Sequence, residues 1–281
     1  MNHLEKICEY IRESRRTGIT IERSSHLDVA RQFIMKQCRL FQPEVVVKAG
    51  LGAGSLVLDL ADEAELVVVI EPDFEALADF IRQHGGDPKF DRIRVINGDL
   101  HDLPLDWYCT DMIVCVDYLD FHNVAAVLDE FKRIVDFEGY LVLATPVLHD
   151  DDIDGVYDEL FRKIQPLHND YYVPLDLRTV LGLKKFKELD STVSEVQLDL
   201  DDIVVLGKTV SSRTGTATDD SYMEYIEQNS EAFGEMYKRD GQLLYERYEA
   251  SAYRSEKPGK KEYDEEVAEY TRRMGRTHTA N

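Results

Sequence analysis

Between residues 43 and 210 the chain alternates short apolar runs with amphipathic stretches, and this rhythm constrains the fold more than any other feature. Val45–Val47, Leu66–Ile70, Ile93–Ile96, Met112–Val116 and Tyr140–Ala144 are short, largely β-branched runs, the pattern of strands buried on both faces. Helical spacing fills the intervals at Leu56–Ala61, Glu75–Gln83 and Val124–Val135. Such repeats predict an α/β fold, a mostly parallel sheet with helices on both faces. Right-handed crossovers bring the carboxyl ends of the strands to one edge, where open sheets of this kind bind ligands. Phe186–Val196 and Ile203–Val210 are parted only by the Asp199–Asp202 turn. They predict a closing antiparallel hairpin with the seventh strand antiparallel, because parallel strands need a crossover of about a dozen residues.

The flanks read differently. Residues 1–42 carry apolar residues at helical spacing (Leu4, Ile7, Cys8, Ile11, then Leu27, Ala30, Phe33, Ile34), with Ser24-Ser25 placed to cap the second run. Residues 211–221 are a polar linker. Residues 222–281 read as a helical extension, two helices parted by Pro258-Gly259. Tyr222, Ile226, Phe233, Met236 and Tyr237 form an apolar stripe there, expected to pack on the domain or, as a homodimer contact, on a second subunit.

Composition narrows the function classes. The formal net charge is −22, and residues 51–210 hold thirty-four acidic against thirteen basic side chains. An acidic body repels nucleic-acid phosphates and anionic membranes, so neither is expected as a partner. No apolar run reaches the roughly 18–20 residues that cross a bilayer, and Met1–Tyr10 lacks the apolar stretch of a signal peptide. The four cysteines form no CxxC pair, so neither zinc nor a disulfide framework is expected. The expectation is a cytoplasmic protein.

The chemistry-bearing residues cluster after the strands. The first strand runs into Lys48-Ala49-Gly50-Leu51-Gly52-Ala53-Gly54-Ser55, a turn whose alternate glycines let backbone approach a ligand at a helix N-terminus. The second strand ends in Glu71-Pro72-Asp73, and a carboxylate there can accept both hydroxyls of a ribose. Otherwise Glu71 is an ordinary polar residue closing a strand. A dinucleotide GxGxxG would need glycine where Ser55 stands, which disfavours a nicotinamide oxidoreductase. Gly98-Asp99-Leu100-His101-Asp102-Leu103-Pro104 follows the third strand, and Arg133-Ile134-Val135-Asp136-Phe137-Glu138-Gly139 precedes the fifth.

With these motifs in order, residues 40–210 resemble the class I S-adenosylmethionine-dependent methyltransferases. The resemblance implies a Rossmann-like seven-stranded sheet, S-adenosylmethionine as cofactor and methyl transfer to a small-molecule acceptor. It implies that Gly50, Leu51, Gly52 and Gly54 lie under the methionine and ribose. It further implies that Glu71 holds the ribose, Pro72 or Asp73 flanks the adenine, and Asp99 and Leu100 meet the adenine edge. Asp117, past strand four, falls near the amino group and sulfonium. The family usually carries an acidic residue where this chain has Lys48. A lysine brings like charge toward the cofactor's ammonium. It is expected to find a carboxylate partner in Glu71, Asp117 or the cofactor, or else to mark a changed ligand or lost activity. A non-catalytic protein of this fold, binding a nucleoside or a protein partner, is therefore the alternative reading.

For catalysis, His122 is the candidate base and Asp117 a second candidate. The alternative for His122 is capping or packing at the start of the helix that follows it. His149 with Asp150–Asp152 reads as a solvated charge run rather than a cation site, and His168, Asn169, Tyr171 and Tyr172 as acceptor-pocket wall or core. Glu71→Ala is expected to weaken nucleoside binding while leaving folding nearly unchanged.

Overall fold

The computed structural model describes residues 24–52, 54–165, 168–198, 221–239 and 243–256, together with Ala268. Its centre is one mixed sheet. The strands are β1 (Val45–Ala49), β2 (Leu66–Glu71), β3 (Ile93–Asn97), β4 (Thr110–Val116), β5 (Val135–Val147), β6 (Phe186–Leu198) and β7 (Leu243–Ser255). They lie in the order β3-β2-β1-β4-β5-β7-β6, with a two-residue strand, Lys238–Arg239, on the start of β7. β1 to β5 are mutually parallel, and β7 runs antiparallel between β5 and β6. The strand order reverses between β1 and β4, and the crevice at such a switch point is where doubly wound sheets bind ligands.

The helices are α1 (Ser24–Phe41), α2 (Ser55–Glu63), α3 (Phe74–His84), α4 (Val124–Ile134), α5 (Val156–Ile164), α6 (Pro174–Leu183), α7 (Tyr222–Gln228) and α8 (Ser230–Met236). One face of the sheet buries Ala30, Ile34, Leu56, Leu60, Leu77 and Phe80 from α1, α2 and α3. The other buries Leu128, Phe131, Leu177 and Leu181 from α4 and α6. A third cluster joins α5 to α7 and α8 through Tyr157, Phe161, Ile226, Phe233 and Tyr237. The apolar stripe of the C-terminal segment is thus covered by α5 of its own chain.

Two expectations need amendment. The stretch Ile203–Val210 lies outside the described residues, so the hairpin it was to close is not described. The antiparallel strand of this sheet is instead Leu243–Ser255, read from sequence as helix. The cause is burial on both faces: Glu246, Tyr248, Ala250 and Ala252 alternate with Glu249, Ser251 and Tyr253, and all seven are buried. A strand covered on both sides shows no polar alternation, and Glu, Ala and Arg are good helix formers, so packing overrode local propensity.

Candidate functional site

The turn after β1 is held open by backbone geometry. Gly50, Gly52 and Gly54 adopt φ of 75°, 63° and 82°, the left-handed region in which only glycine is unstrained. Gly50 N donates to Ile70 O (2.8 Å), tying the turn to β2. α2 starts directly after Gly54, so its first N–H groups face this edge of the sheet. Lys48 is buried, and its Nζ donates to Ala49 O (3.2 Å) and Gly50 O (2.8 Å). These donations tie the Lys48 ammonium to the turn's own carbonyls.

Glu71 stands at the tip of β2, fully buried. Its Oε2 accepts from Leu51 N (2.8 Å) and its Oε1 from Asp73 N (2.9 Å). One carboxylate thus joins the glycine turn to the loop after β2. Removing it would leave two amides unsatisfied, so the expectation of nearly unchanged folding is corrected. Asp73 is the N-cap of α3, accepting from Glu75 N and Ala76 N, and Pro72 O accepts from Asn97 Nδ2. Asp99 bonds His101 through N and Nδ1 (2.9 and 2.8 Å). Burial works to raise the Asp99 pKa, but these hydrogen bonds hold it below the usual carboxylate value. Leu100 is fully buried. The loop carrying them is fixed from below, where Arg133 reaches Leu103 O and Leu105 O while Glu130 accepts from Leu103 N. The Arg133 seen in sequence only as part of a motif is what holds this loop.

β4 delivers the next group. Asp117 sits at φ 48°, left-handed for a non-glycine residue, with its N on Ala144 O (2.9 Å). Its Oδ2 faces His26 Nδ1 at 3.8 Å, and its Oδ1 is buried without a hydrogen-bond partner among the described residues. Tyr118 follows, and its ring lies on the turn: a Cβ on Gly50 would sit 2.9 Å from it. Burial, then the charges of Glu71, Asp99 and Asp73 among its neighbours, push the phenol pKa well up. The His122 ring packs at a tilt against Tyr118, 4.7 Å between centroids, and edge-on to His101 at 5.0 Å. Burial first, then the His101 charge, lowers its pKa to about 4, leaving a neutral imidazole at pH 7. The cap of α4 is Asn123, not His122.

A second group of titratable residues, which the sequence did not reveal, lies beside Asp117. His26 of α1 is fully buried, its Nε2 2.8 Å from Glu246 of β7, whose Oε1 accepts from Tyr157 OH (2.9 Å). Desolvation lowers the His26 pKa, but Glu246 and Asp117 outweigh it, so the net shift is upward. His26 had no motif around it, and Glu246 was hidden in the misread strand. His168 lies between Asp158 (2.7 Å) and Asp120 (3.7 Å), packed against Tyr171. Asp152 accepts from Val156 N, Tyr157 N and Tyr237 OH, and Asp150 pairs with Arg247. These acids serve structure, and among the described residues no three His, Cys, Asp or Glu side chains are grouped to hold a metal.

A sheet in this order, with a glycine turn at its switch point and an acid closing β2, has the Rossmann-like fold typical of methyltransferases. More particularly, residues 47–143 match the family model described as a methyltransferase domain. No curated protein matches in sequence. Among solved structures, the YcgJ protein of Bacillus subtilis is 16% identical with a TM-score of 0.66, covering 83% of this chain and all of that one. The N-methyltransferase NodS of Bradyrhizobium japonicum, solved with S-adenosyl-L-homocysteine, is 12% identical with a TM-score of 0.53, covering 83% of this chain and 89% of that one. The [4+2]-cyclase SpnF is 14% identical with a TM-score of 0.57, covering 82% and 81%. At these identities the likeness establishes the fold, and a cyclase among them shows that the fold alone does not fix the reaction.

The site's own chemistry bears on the cofactor that the class implies. Glu71 and Asp99 offer carboxylate acceptors for a ribose and an adenine edge, and the three left-handed glycines present no Cβ to a ligand. These donors and acceptors suit the nucleoside half. Lys48 stands where the class usually carries an acid, its Nζ on Gly50 O, and the Tyr118 ring lies against Gly50.

Proposed function

We propose that this protein is an S-adenosylmethionine-dependent methyltransferase acting on a small-molecule acceptor. The observation carrying the reading is the coupling of Glu71 to the glycine turn: one carboxylate bonds Leu51 N and Asp73 N at the switch point of the sheet. Each carboxylate oxygen carries more than one acceptor site, so an acid that bonds these amides can also accept from a ribose diol. Gly50, Leu51, Gly52, Gly54, Glu71, Pro72, Asp73, Asp99 and Leu100 would hold the nucleoside, and Lys48 would meet the carboxylate end. The cofactor supplies an activated methyl on a sulfonium.

Asp117 and its neighbours supply the acceptor side. Asp117, at the end of β4 with its Oδ2 3.8 Å from His26, would orient groups near the reacting centre. His26 lies 2.8 Å from Glu246, which with Asp117 raises its pKa, so it is biased toward its protonated form and serves to position. His122 is neutral at pH 7 and is an imidazole on this edge that can accept a proton, though a pKa of about 4 makes it a weak base. The acidic surroundings favour a neutral or cationic acceptor over a phosphorylated one.

Incubating the purified full chain with S-adenosylmethionine and small-molecule fractions tests the reading. Formation of S-adenosylhomocysteine dependent on an added fraction is expected. Binding of the cofactor without any such product would favour the second reading, a non-catalytic nucleoside-binding protein, which Lys48 supports.

A further inference from the structure

We propose that Tyr118 is an affinity-determining residue of the nucleoside half-site, an internal occupant whose ring a bound nucleoside must displace. The inference rests on the reading of this edge as a nucleoside site and adds a claim about its resting state. Three observations converge on it. The ring lies against Gly50, 2.9 Å from where a Cβ would be, and so covers the glycine turn assigned to the ligand. Its phenol lies in the combined field of Glu71, Asp99 and Asp73, the carboxylates assigned to the ribose and adenine and the cap beside them. Its hydroxyl is buried and has no hydrogen-bond partner among the described residues.

The third observation decides how the ring behaves. A buried phenol normally bonds a neighbour, and an unsatisfied one leaves its desolvation uncompensated. Tyr118 is thus held by packing against Gly50 and the His122 ring, with no hydrogen bond of its hydroxyl to break as it leaves. A nucleoside entering between Glu71 and Asp99 exchanges one aromatic face for another. Apparent affinity is then the intrinsic affinity scaled by the fraction of molecules whose ring has moved. Tyr118 therefore discriminates against weakly held nucleosides, because only a ligand engaging both carboxylates repays its displacement.

Calorimetric titration with S-adenosyl-L-homocysteine tests this on the full chain, comparing wild type with Tyr118→Ala, Tyr118→Leu and Tyr118→Phe. The leucine variant keeps apolar packing if the alanine variant folds poorly, and thermal melts check each. The Ala and Leu variants are expected to bind at least about tenfold more tightly than wild type, corresponding to a wild-type open fraction of about one in ten or less. The Phe variant, which keeps the ring, is expected to stay within about twofold of wild type. Equal affinity of all four proteins would overturn the role of Tyr118 while leaving the nucleoside site intact. Tight binding by Phe as well as Ala would overturn the claim that the ring is the obstacle. Absence of binding by every protein would overturn the nucleoside reading itself and the proposal with it.

Discussion

Glu71 illustrates how one side chain couples stability to binding. Its carboxylate satisfies Leu51 N and Asp73 N inside the protein, so Glu71→Ala is expected to lower unfolding free energy by about 1–3 kcal/mol, measured by urea titration. The same variant should weaken S-adenosylhomocysteine binding by about 2–3 kcal/mol through loss of charge-assisted bonds to the ribose. Lys48 acts on the same turn through its carbonyls. Lys48→Ala removes donations to Ala49 O and Gly50 O and should cost about 1.5–3 kcal/mol in stability in the same assay. If Lys48→Asp binds S-adenosylmethionine more tightly than wild type, the lysine is a mark of lost function, and weaker binding is expected if it serves a working site.

His26 gives a pH signature. Its pKa is raised in the folded protein, so protonation favours folding. That stabilisation is complete below about 6.5, the unfolded value, and is lost as pH rises through the higher folded value. Urea unfolding across this interval should therefore show wild-type stability falling relative to His26→Asn as pH increases. A stability difference that does not change with pH would contradict the buried His26–Glu246 ion pair.

At the scale of elements, the turn between β1 and α2 depends on close approach. Gly54 has φ 82°, and a Cβ there would meet the Phe80 ring at 2.5 Å. Gly54→Ala should destabilise by at least about 1–2 kcal/mol for the left-handed backbone alone, with the clash added. Phe80→Leu in the Gly54→Ala background should recover part of the clash, and a double-mutant cycle reads the coupling.

The parallel half of the sheet was legible in the sequence because β1, β2, β3 and β4 are short apolar runs set between helical periods. The glycine turn and Glu71 were legible because their order along the chain has few structural interpretations. β7 was not, since Glu246 and Glu249 are buried through long-range partners, His26 and Arg178, that no local pattern encodes. The position of Tyr118 was hidden for a similar reason: next to Asp117 in sequence, it reads as one more aromatic, and only the fold lays it on Gly50.

At the scale of the molecule, the C-terminal segment completes the sheet. β7 lies between β5 and β6, so the acidic α/β body and the residues after the polar linker form one hydrogen-bonded unit. This joins His26 near the start of the described chain to Glu246 near its end, beside Asp117 at the switch point. The described helices include none long and apolar enough to cross a membrane. The formal charge of −22 opposes docking on phosphate-rich surfaces, in keeping with a small-molecule acceptor.

The central claim is that this edge of the sheet is an S-adenosyl nucleoside site. Side-by-side titration of S-adenosylmethionine, S-adenosylhomocysteine and NAD against wild type and Tyr118→Ala tests it most directly. The account predicts that both S-adenosyl ligands bind, more tightly to the variant, and that NAD binds to neither protein. Binding of NAD, or failure of both S-adenosyl ligands to bind either protein, would contradict it.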